Sequence, residues 1–475
     1  MSVGPDKRWP ALVLLCLGEL MIVLDTTIVN VALPSIQADL RFSETALVWV
    51  VNAYMLTFGG CLLLGGRLGD LYGHRRLFLA GIVLFTLASL ACGLSTHQWM
   101  LIAARAVQGL GGAVVSAVAL SLIMNLFTEP ADRAKAMGFY GFVCAGGGSV
   151  GVLLGGLLTS ALNWHWVFLV NLPVGIAIYA ACTRLLPAGG GTGQPQRLDV
   201  AGALSITTAL MLAVYGIVGG NAVGWGSAQT LGLLGAAVAL LALFLAIESR
   251  VDAPLVPLGL FRLRNLSVSS VIGVLWSAGM FAWFFVSALY MQLVLGYSAM
   301  QVGLAFLPSN LLMAAFSLGL SARMVMRWGA RAPLGVGLLL AAIGLALFAP
   351  APVQGDVWRD VLPGMLLLGL GAGMALNPLL LIAMDGVDSD SSGLASGVLN
   401  TAFMMGGALG LAVLASLADA RSSGLRTAGA DAATALAGGY QLAFWCGAAI
   451  AALAAALVLW LRPAAQTPAA PAAVH

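Results

Sequence analysis

The stretch LVLLCLGELMIVLDTTIVNVALP, from Leu12 to Pro34, decides the fold class of this chain. It is long enough to cross a bilayer, because a helix needs about 20 apolar residues to span roughly 30 Å of hydrocarbon. It nevertheless holds two carboxylates, Glu19 and Asp25. A charge at that depth costs about 2.5–3.5 kcal/mol on insertion scales, so both are candidate functional residues. The alternative is a carboxylate that stays protonated, or that a partner neutralises only to hold helices together.

Apolar segments of this kind recur along the whole chain. Of 475 residues, 61% are hydrophobic and 8% are charged. Soluble domains are about 25% charged. We count fourteen apolar segments, of which the seventh and eighth, at 198–219 and 230–247, are the weakest. The sequence therefore predicts an all-α polytopic membrane protein with fourteen transmembrane helices.

Two changes in composition divide the chain. PAGGGTGQPQ at 187–196 follows the sixth segment, and a polar, proline-containing stretch at 248–265 precedes the ninth. We expect a six-helix bundle, a linker with two additional transmembrane helices, a second six-helix bundle and a disordered cytoplasmic tail. The corresponding ranges are 1–186, 187–250, 251–463 and 464–475.

The two predicted bundles share a faint repeat. GGRLGDLYGHRR at 65–76 and SARMVMRWGAR at 321–331 align Gly73 with Gly329 and Arg75 with Arg331. Repeated halves are typical of secondary transporters, which bind substrate near the membrane midplane between the halves.

The positive charges predict the orientation. Most of the 21 Lys and Arg residues fall in loops on the side of the N-terminus, whereas the opposite loops hold Arg41, Arg359, Arg421 and Arg426. Cytoplasmic loops carry the excess of Lys and Arg, so both termini are expected in the cytoplasm. The acidic loop at 385–392 is an exception to this pattern.

Arg105 is the basic residue inside a predicted span, and its depth matches that of Asp25. At 1.5 Å per residue, Asp25 lies about 12 Å and Arg105 about 9 Å from the same side of the membrane. An Asp25–Arg105 pair is therefore expected, whereas Glu19, about 21 Å from that side, is too deep to join it. A buried carboxylate can take up a proton near neutral pH, and an adjacent arginine favours its charged form. We assign Asp25, Glu19 and Arg105 to proton coupling.

The helical period places Glu19, Thr26 and Asn30 on one stripe of the first helix, with Asp25 on its flank. Together with other intramembrane polar and aromatic residues, this stripe is a candidate lining for a substrate cavity. Lipid contact or core packing is the alternative for each member. The candidates are Thr26, Asn30, Asn52, Tyr54, Gln108, Trp276, Trp283, Phe284, Asn310, Asn400 and Met404.

Two further segments are candidates for conformational change. Asp70 lies in a short loop with Arg67, Arg75 and Arg76, either as a solvated charge or as part of a salt bridge that holds one state closed. In the fifth segment Gly147, Gly151 and Gly155 recur every four residues, which suits close helix packing, either static or sliding.

The chain lacks the sequence motifs that are typical of several other function classes. The chain has no G-x-x-x-x-G-K-[ST] phosphate loop, no H-E-x-x-H and no paired Cys/His spacing. We expect no cofactor, no metal site and no nucleic-acid partner, with a proton gradient as the energy source.

Three motifs carry a resemblance to a known family. LDTTIVNVALP (Leu24–Pro34), GRLGDLYGHRR (Gly66–Arg76) and RAVQGLGG (Arg105–Gly112) resemble the major facilitator superfamily. With fourteen segments, the chain is similar to the drug:proton antiporter branch with fourteen helices. NWHWVFLVNLPVG at 163–175 and SSGLASGVLNTAFMMGGALG at 391–410 resemble further stretches of that branch.

The resemblance implies roles for individual residues. Asp25 falls in the coupling motif of the first helix, and Arg105 matches the buried arginine linked to proton transfer. The residues matching the gating loop are Gly66, Gly69, Asp70, Gly73 and Arg75, to which we add Arg133 in the next predicted inside loop. The residues matching the antiporter motif of the fifth helix are Gly147, Gly151, Gly155 and Gly156.

Three positions depart from the family pattern. Val152 stands where a proline is usual, His165 where an arginine is common, and Glu19 where an amide is frequent. The extra acid at Glu19 can serve substrate or protons. No acid lies in the tenth or thirteenth helix, which implies neutral or singly charged substrates.

We therefore expect the major facilitator fold and a monomeric, multi-pass exporter in the plasma membrane, specifically the bacterial inner membrane. It is expected to exchange protons for small amphipathic drugs or antibiotics. The alternatives are a proton-coupled transporter of one metabolite, such as an amino acid or lipid precursor, a membrane ligand sensor and, least favoured, a membrane enzyme.

Overall fold

A computed structural model describes residues 5–127, 129–186, 199–251, 254, 256, 258–316, 320–350, 352–387 and 392–462. Within these ranges the chain is helical and contains no strand. Twelve helices are long and apolar enough to cross a membrane, and two shorter apolar helices run over Val150–Ala161 and Ala299–Ala315. Together they correspond to the fourteen predicted segments, so the predicted all-α class is confirmed.

The described helices fall into three groups along the chain. The first group comprises α1 (Pro5–Leu40), α2 (Glu44–Tyr72), α3 (His74–Gly93), α4 (Gln98–Leu126), α5 (Pro130–Ala161), α6 (Trp166–Leu169) and α7 (Asn171–Leu185). Next come α8 (Val200–Val223) and α9 (Ala228–Glu248). The last group comprises α10 (Arg264–Leu289), α11 (Ala299–Ala315), α12 (Ser321–Trp328), α13 (Arg331–Phe348), α14 (Leu362–Ala383), α15 (Ser392–Thr427) and α16 (Ala432–Leu457). Single 3-10 turns cover Leu258–Arg262 and Val458–Trp460, and π turns cover Tyr290–Val294 and Val357–Val361.

Side chains at the helix starts explain several of these boundaries. Ser43, Ser227 and Asp431 accept hydrogen bonds from backbone N–H groups of the first turns of α2, α9 and α16. Ser298 forms a reciprocal capping box with Gln301 at the start of α11. These caps satisfy N–H groups that have no partner within the helix.

The helices pack into two bundles. In the first, α4 lies against α2 and α3, while α1 packs along α5; in the second, α10 packs on α15, and α13 on α14 and α16. The bundles meet where α5 contacts α11 and where α2 contacts α15. We call the membrane side at which α1 turns into α2 the Ser43 side, and the side at which α2 turns into α3 the Gly73 side.

Helix α8 lies at the seam between the bundles, against α2, α15 and α9. The ring of Tyr215 lies 6.2 Å from that of Trp49 on α2. On the other flank, Asn221 donates to the Ser416 carbonyl of α15 at 2.6 Å and to the Asp419 carboxylate at 3.1 Å. The first additional helix therefore touches both bundles.

The repeat seen in the sequence has a structural counterpart. Gly73 and Gly329 both adopt positive φ angles, 93° and 74°, which suit glycine because other residues meet a steric penalty there. Arg75 donates to the Thr183 carbonyl at 2.6 Å near the end of α7. Arg331 donates to the Leu459 carbonyl at 3.0 Å after α16. In each bundle an arginine thus binds carbonyl groups at the end of that bundle's last helix.

Candidate functional site

Asp25 lies at the centre of a polar network in the first bundle. Its carboxylate has no exposed surface and forms an ion pair with Arg105, which is 1% exposed. Gln108 donates to Asp25 Oδ1 at 2.7 Å, and Asn171 donates to the same oxygen at 3.1 Å. The predicted Asp25–Arg105 contact is confirmed.

Arg105 is held from several directions. Its Nε donates to the Val50 carbonyl at 2.9 Å, and its Nη1 donates to Gln108 Oε1 at 2.7 Å as well as to Asp25. The guanidinium carbon lies 4.4 Å from the ring centre of Tyr54 and 5.6 Å from that of Phe168. A desolvated cation over aromatic faces gains up to about 2 kcal/mol, so these rings partly offset its burial.

The local sequence explains this geometry. Arg105 and Gln108 are three residues apart on α4 and therefore share one face, towards α1. Ser89 on α3 accepts hydrogen bonds from Gln108 at 2.7 Å and from Asn171 at 3.2 Å, which orients both amides towards Asp25. Side chains from α1, α3, α4 and α7 thus converge on one carboxylate.

While Arg105 stays in place, its guanidinium offsets the charge of the Asp25 carboxylate. Separating the two would leave an unpaired charge in apolar surroundings, which costs several kcal/mol. Protonation of the Asp25 carboxylate removes its negative charge, so the carboxyl group no longer contributes to the cost of an unpaired buried charge. The site can therefore link a proton to the position of Arg105.

Glu19 forms a second cluster, apart from Arg105. Its carboxylate is 7% exposed and accepts a hydrogen bond from Ser116 Oγ of α4 at 2.8 Å. The Tyr140 hydroxyl of α5 is also hydrogen-bonded to it. As expected from its depth, Glu19 is absent from the partners of Arg105 that the structure describes.

The gating-loop candidates fall into two groups. The predicted loop is wrong, because α2 continues through Gly66, Gly69 and Asp70 to Tyr72 and α3 begins at His74, with Gly73 alone between them. The Gly69 carbonyl accepts the N–H of Gly73 at 2.9 Å, and Arg75 is anchored to α7 as described. The side chains of Asp70 and Arg133 lie outside the described part of the structure. Their predicted roles remain predictions.

The glycines of α5 face two different helices. A Cβ on Gly155 would lie 2.5 Å from the Ile28 carbonyl of α1, and Gly147 and Gly151 face the same helix. A Cβ on Gly156 would instead lie 2.7 Å from the Ala299 carbonyl of α11, in the other bundle. Val152, where a proline was expected, is buried beside Gly303 of α11. The α5 glycines therefore allow close packing both within a bundle and between bundles.

The cavity candidates are dispersed. Tyr54 and Gln108 belong to the Asp25 network. Asn52 donates to the Ala408 carbonyl of α15 at 3.0 Å and so bridges the bundles, and Met404 packs near Gly59. Asn30 donates to the Thr26 carbonyl within α1, while Asn400 is exposed.

The remaining cavity candidates lie in the second bundle. Trp283 and Phe284 pack on Phe306, and Trp276 is buried. Asn310 is buried too, and its amide nitrogen has no described partner.

The sequence analysis missed three members of the Asp25 network: Ser89, the Val50 carbonyl, and Cys92, whose Sγ donates to Gln108 Oε1 at 3.6 Å. Nothing in the local sequence distinguishes Ser89 from other small residues of an apolar helix. Asn171 was recognisable, because an amide within a predicted span needs a partner. Among the described residues, no group of three His, Cys, Asp or Glu side chains could hold a metal ion.

Comparison with curated proteins finds relatives over nearly the whole chain. The puromycin resistance protein pur8 of Streptomyces alboniger is 42% identical over 86% of this chain and 82% of its own length. The cephamycin export protein CmcT of Amycolatopsis lactamdurans is 39% identical over 98% and 94%. The tetracenomycin C resistance and export protein of Streptomyces glaucescens is 34% identical over 87% and 77%.

A solved structure shares the fold. The crystal structure of an auto-inhibited POT family peptide transporter aligns with a TM-score of 0.69 and 14% identity, over 97% of this chain and 99% of the other. The sequence model of the protein family described as the Major Facilitator Superfamily matches residues 15–411. The chain thus belongs to the Major Facilitator Superfamily and is an integral protein of the cell membrane.

Proposed function

We propose that this protein is a secondary active exporter of small amphipathic drugs or antibiotics, which it exchanges for protons by alternating access. Three similar proteins are named for antibiotic resistance or export. The observation that carries the proton assignment is the fully buried Asp25–Arg105 pair with its amide partners. A membrane-embedded ion pair of this kind is expensive to maintain and typical of proton pathways.

One turn of α2 connects the Asp25–Arg105 pair to the interface between the two bundles. Val50 and Tyr54, four residues apart, both contact Arg105. Asn52 lies between them on the opposite face and binds the Ala408 carbonyl of α15. A displacement of Arg105 therefore changes contacts of the same helical turn that is hydrogen-bonded to the second bundle.

The proposed cycle uses these contacts. With Arg105 in place, Asp25 is ionised and the network is closed. A proton that reaches Asp25 cancels its charge and weakens its attraction for Arg105, so the α2 turn is released and the bundles can rock. Loss of the proton on the opposite side restores the pair.

The test begins with a screen of antibiotics and dyes in a pump-deficient bacterial host. The purified protein is then placed in liposomes, and the compound against which it protects best is followed under an imposed pH gradient. We expect the wild-type protein to move that compound against its concentration gradient, and a protonophore to abolish the movement.

Asp25→Asn is expected to abolish gradient-driven transport. Asparagine keeps the size of the side chain but leaves Arg105 without its counter-charge, so thermal unfolding in detergent is measured beside transport to establish that the variant is folded. The matched control is Asp39→Asn at the end of the same helix, where the carboxylate is 56% exposed. It should transport like the wild-type protein. Undiminished proton-driven transport by Asp25→Asn would contradict the proposal.

A further inference from the structure

Helix α12 carries two exposed arginines on the Gly73 side of the second bundle. Arg323 and Arg327 are four residues apart and therefore share one face of the helix. Neither forms an ion pair with a carboxylate that the structure describes. Their charges are therefore available to an anionic partner from outside the chain.

Large apolar side chains lie beside these arginines. Met326, at 80% exposed, is the most exposed large apolar side chain that the structure describes, and Trp328 is 56% exposed. The guanidinium carbon of Arg327 lies 5.3 Å from the centre of the Trp328 ring. Tryptophan and arginine next to each other are typical of the boundary between lipid tails and headgroups.

A second exposed turn adjoins this face of α12. Arg331, three residues after Trp328, donates to the Leu459 carbonyl at 3.0 Å and so holds the turn Val458–Trp460 in place. Leu459 and Trp460 are 76% and 63% exposed. Because Arg331 also begins the membrane-length helix α13, both segments lie at an edge of the membrane. We call this region the α12 surface, formed by Arg323, Met326, Arg327, Trp328, Leu459 and Trp460.

The equivalent segment of the first bundle has a different charge pattern. With Gly329 aligned on Gly73, Met326 stands where the first bundle has Asp70. The segment 321–331 contains no acid at all. Two arginines attract an anion more strongly here than in the first bundle, because no neighbouring carboxylate in the segment opposes their field.

We propose that the α12 surface binds the headgroup of an anionic phospholipid, with Arg323 and Arg327 on its phosphate. Guanidinium groups bind phosphate oxygens through paired, charge-assisted hydrogen bonds. The Gly73 side is the predicted cytoplasmic side, where basic residues next to a membrane span attract anionic lipids. Met326 and Leu459 lie against the acyl chains of the bound lipid, which removes them from water. This inference does not depend on the export function.

The test compares two lipids with the same acyl chains on the purified full-length protein. Dioleoylphosphatidylglycerol has a net negative charge, whereas dioleoylphosphatidylcholine has a phosphate but no net charge. Native mass spectrometry from detergent measures both affinities, and the readout is their ratio. Since each arginine near an anionic surface contributes about fivefold, we expect wild-type protein to prefer phosphatidylglycerol by about tenfold or more. Amide hydrogen exchange in the last turn of α12 should fall with phosphatidylglycerol and not with phosphatidylcholine.

Arg323→Gln combined with Arg327→Gln removes both charges at exposed positions, where substitutions have small effects on stability. We expect its preference for phosphatidylglycerol to fall to about twofold or less. The matched control is Arg41→Gln combined with Arg421→Gln, which removes two exposed arginines from the Ser43 side. It changes the net charge of the protein equally and should keep the wild-type ratio. Arg323→Lys combined with Arg327→Lys keeps both charges and should still prefer phosphatidylglycerol.

Three results would overturn the inference: a wild-type ratio near one, an unchanged ratio without the two α12 arginines, or an equal loss in the matched control. A lipid-free dimer in which the last turn of α12 is protected from exchange would also overturn it, because the α12 surface would then bind a second copy of the chain. None of these measurements uses transport. Failure of the liposome experiment would therefore contradict the export function and leave the lipid site standing.

Discussion

At Asp25, a carboxylate without exposed surface accepts hydrogen bonds from Arg105, Gln108 and Asn171. Each donor has a further partner, since Arg105 also binds the Val50 carbonyl and both amides bind Ser89. Such a closed network restricts the side chains to one arrangement, because any single displacement leaves several buried polar groups unpaired.

Arg105→Gln is expected to destabilise the protein by about 3–5 kcal/mol, because it leaves the Asp25 charge buried and unpaired. Thermal unfolding in detergent, followed by intrinsic fluorescence, measures the change. The double variant Asp25→Asn with Arg105→Gln should unfold at a higher temperature than Arg105→Gln alone, since no uncompensated charge remains. Additive losses in the double variant would show that the two side chains do not interact.

On the scale of single helices, the glycines of α5 determine how closely that helix approaches its neighbours. A Cβ on Gly155 would meet the Ile28 carbonyl, which is backbone and cannot rotate away. On Gly148, one turn from Gly151, a Cβ would lie 3.7 Å from Thr27 Cγ2, an ordinary contact distance. The two glycines therefore differ in how much their replacement matters.

Gly155→Ala is expected to cost about 1–3 kcal/mol, the range for inserting atoms into a packed interface. Gly148→Ala serves as its control and should not destabilise the protein, because the methyl group has space there and alanine is favoured over glycine within a helix by about 0.5–1 kcal/mol. Thermal unfolding of both variants in the same detergent compares them. Equal effects would mean that α1 and α5 are less closely packed than the structure shows.

On the scale of the whole molecule, contacts on the Ser43 side join the two bundles. Glu44 of α2 pairs with Arg426 of α15 at 3.2 Å, Gln292 donates to the Val31 carbonyl at 3.0 Å, and Met300 N–H donates to Ser160 Oγ at 3.1 Å. These contacts must break for the bundles to separate on that side.

Exchanging the charges of one pair tests this interface. Glu44→Arg and Arg426→Glu should each raise amide hydrogen exchange in the first turn of α2 and the last turn of α15. The double variant should return exchange towards the wild-type level, since the pair is restored in reverse. Because Arg426 is 47% exposed, we expect each single change to shift the equilibrium by up to about fivefold. Exchange in the double variant as high as in the single variants would rule out the pair.

The sequence by itself determined the helical class, the fourteen segments and the Asp25–Arg105 pair. These features follow from quantities that are local along the chain: runs of apolar residues, the rise per residue and the cost of a charge in hydrocarbon. The aligned Gly73 and Gly329 were also readable, because each position needs a backbone conformation that favours glycine.

Only the tertiary structure decided which polar groups share a site. Ser89 joined the Asp25 network while Ser116 joined Glu19, although both are serines of apolar helices. Asn52 and Tyr54, two residues apart, contact the second bundle and Arg105 respectively. The physical reason is that hydrogen bonds between helices depend on their rotation and approach, which packing sets and which no single helix encodes.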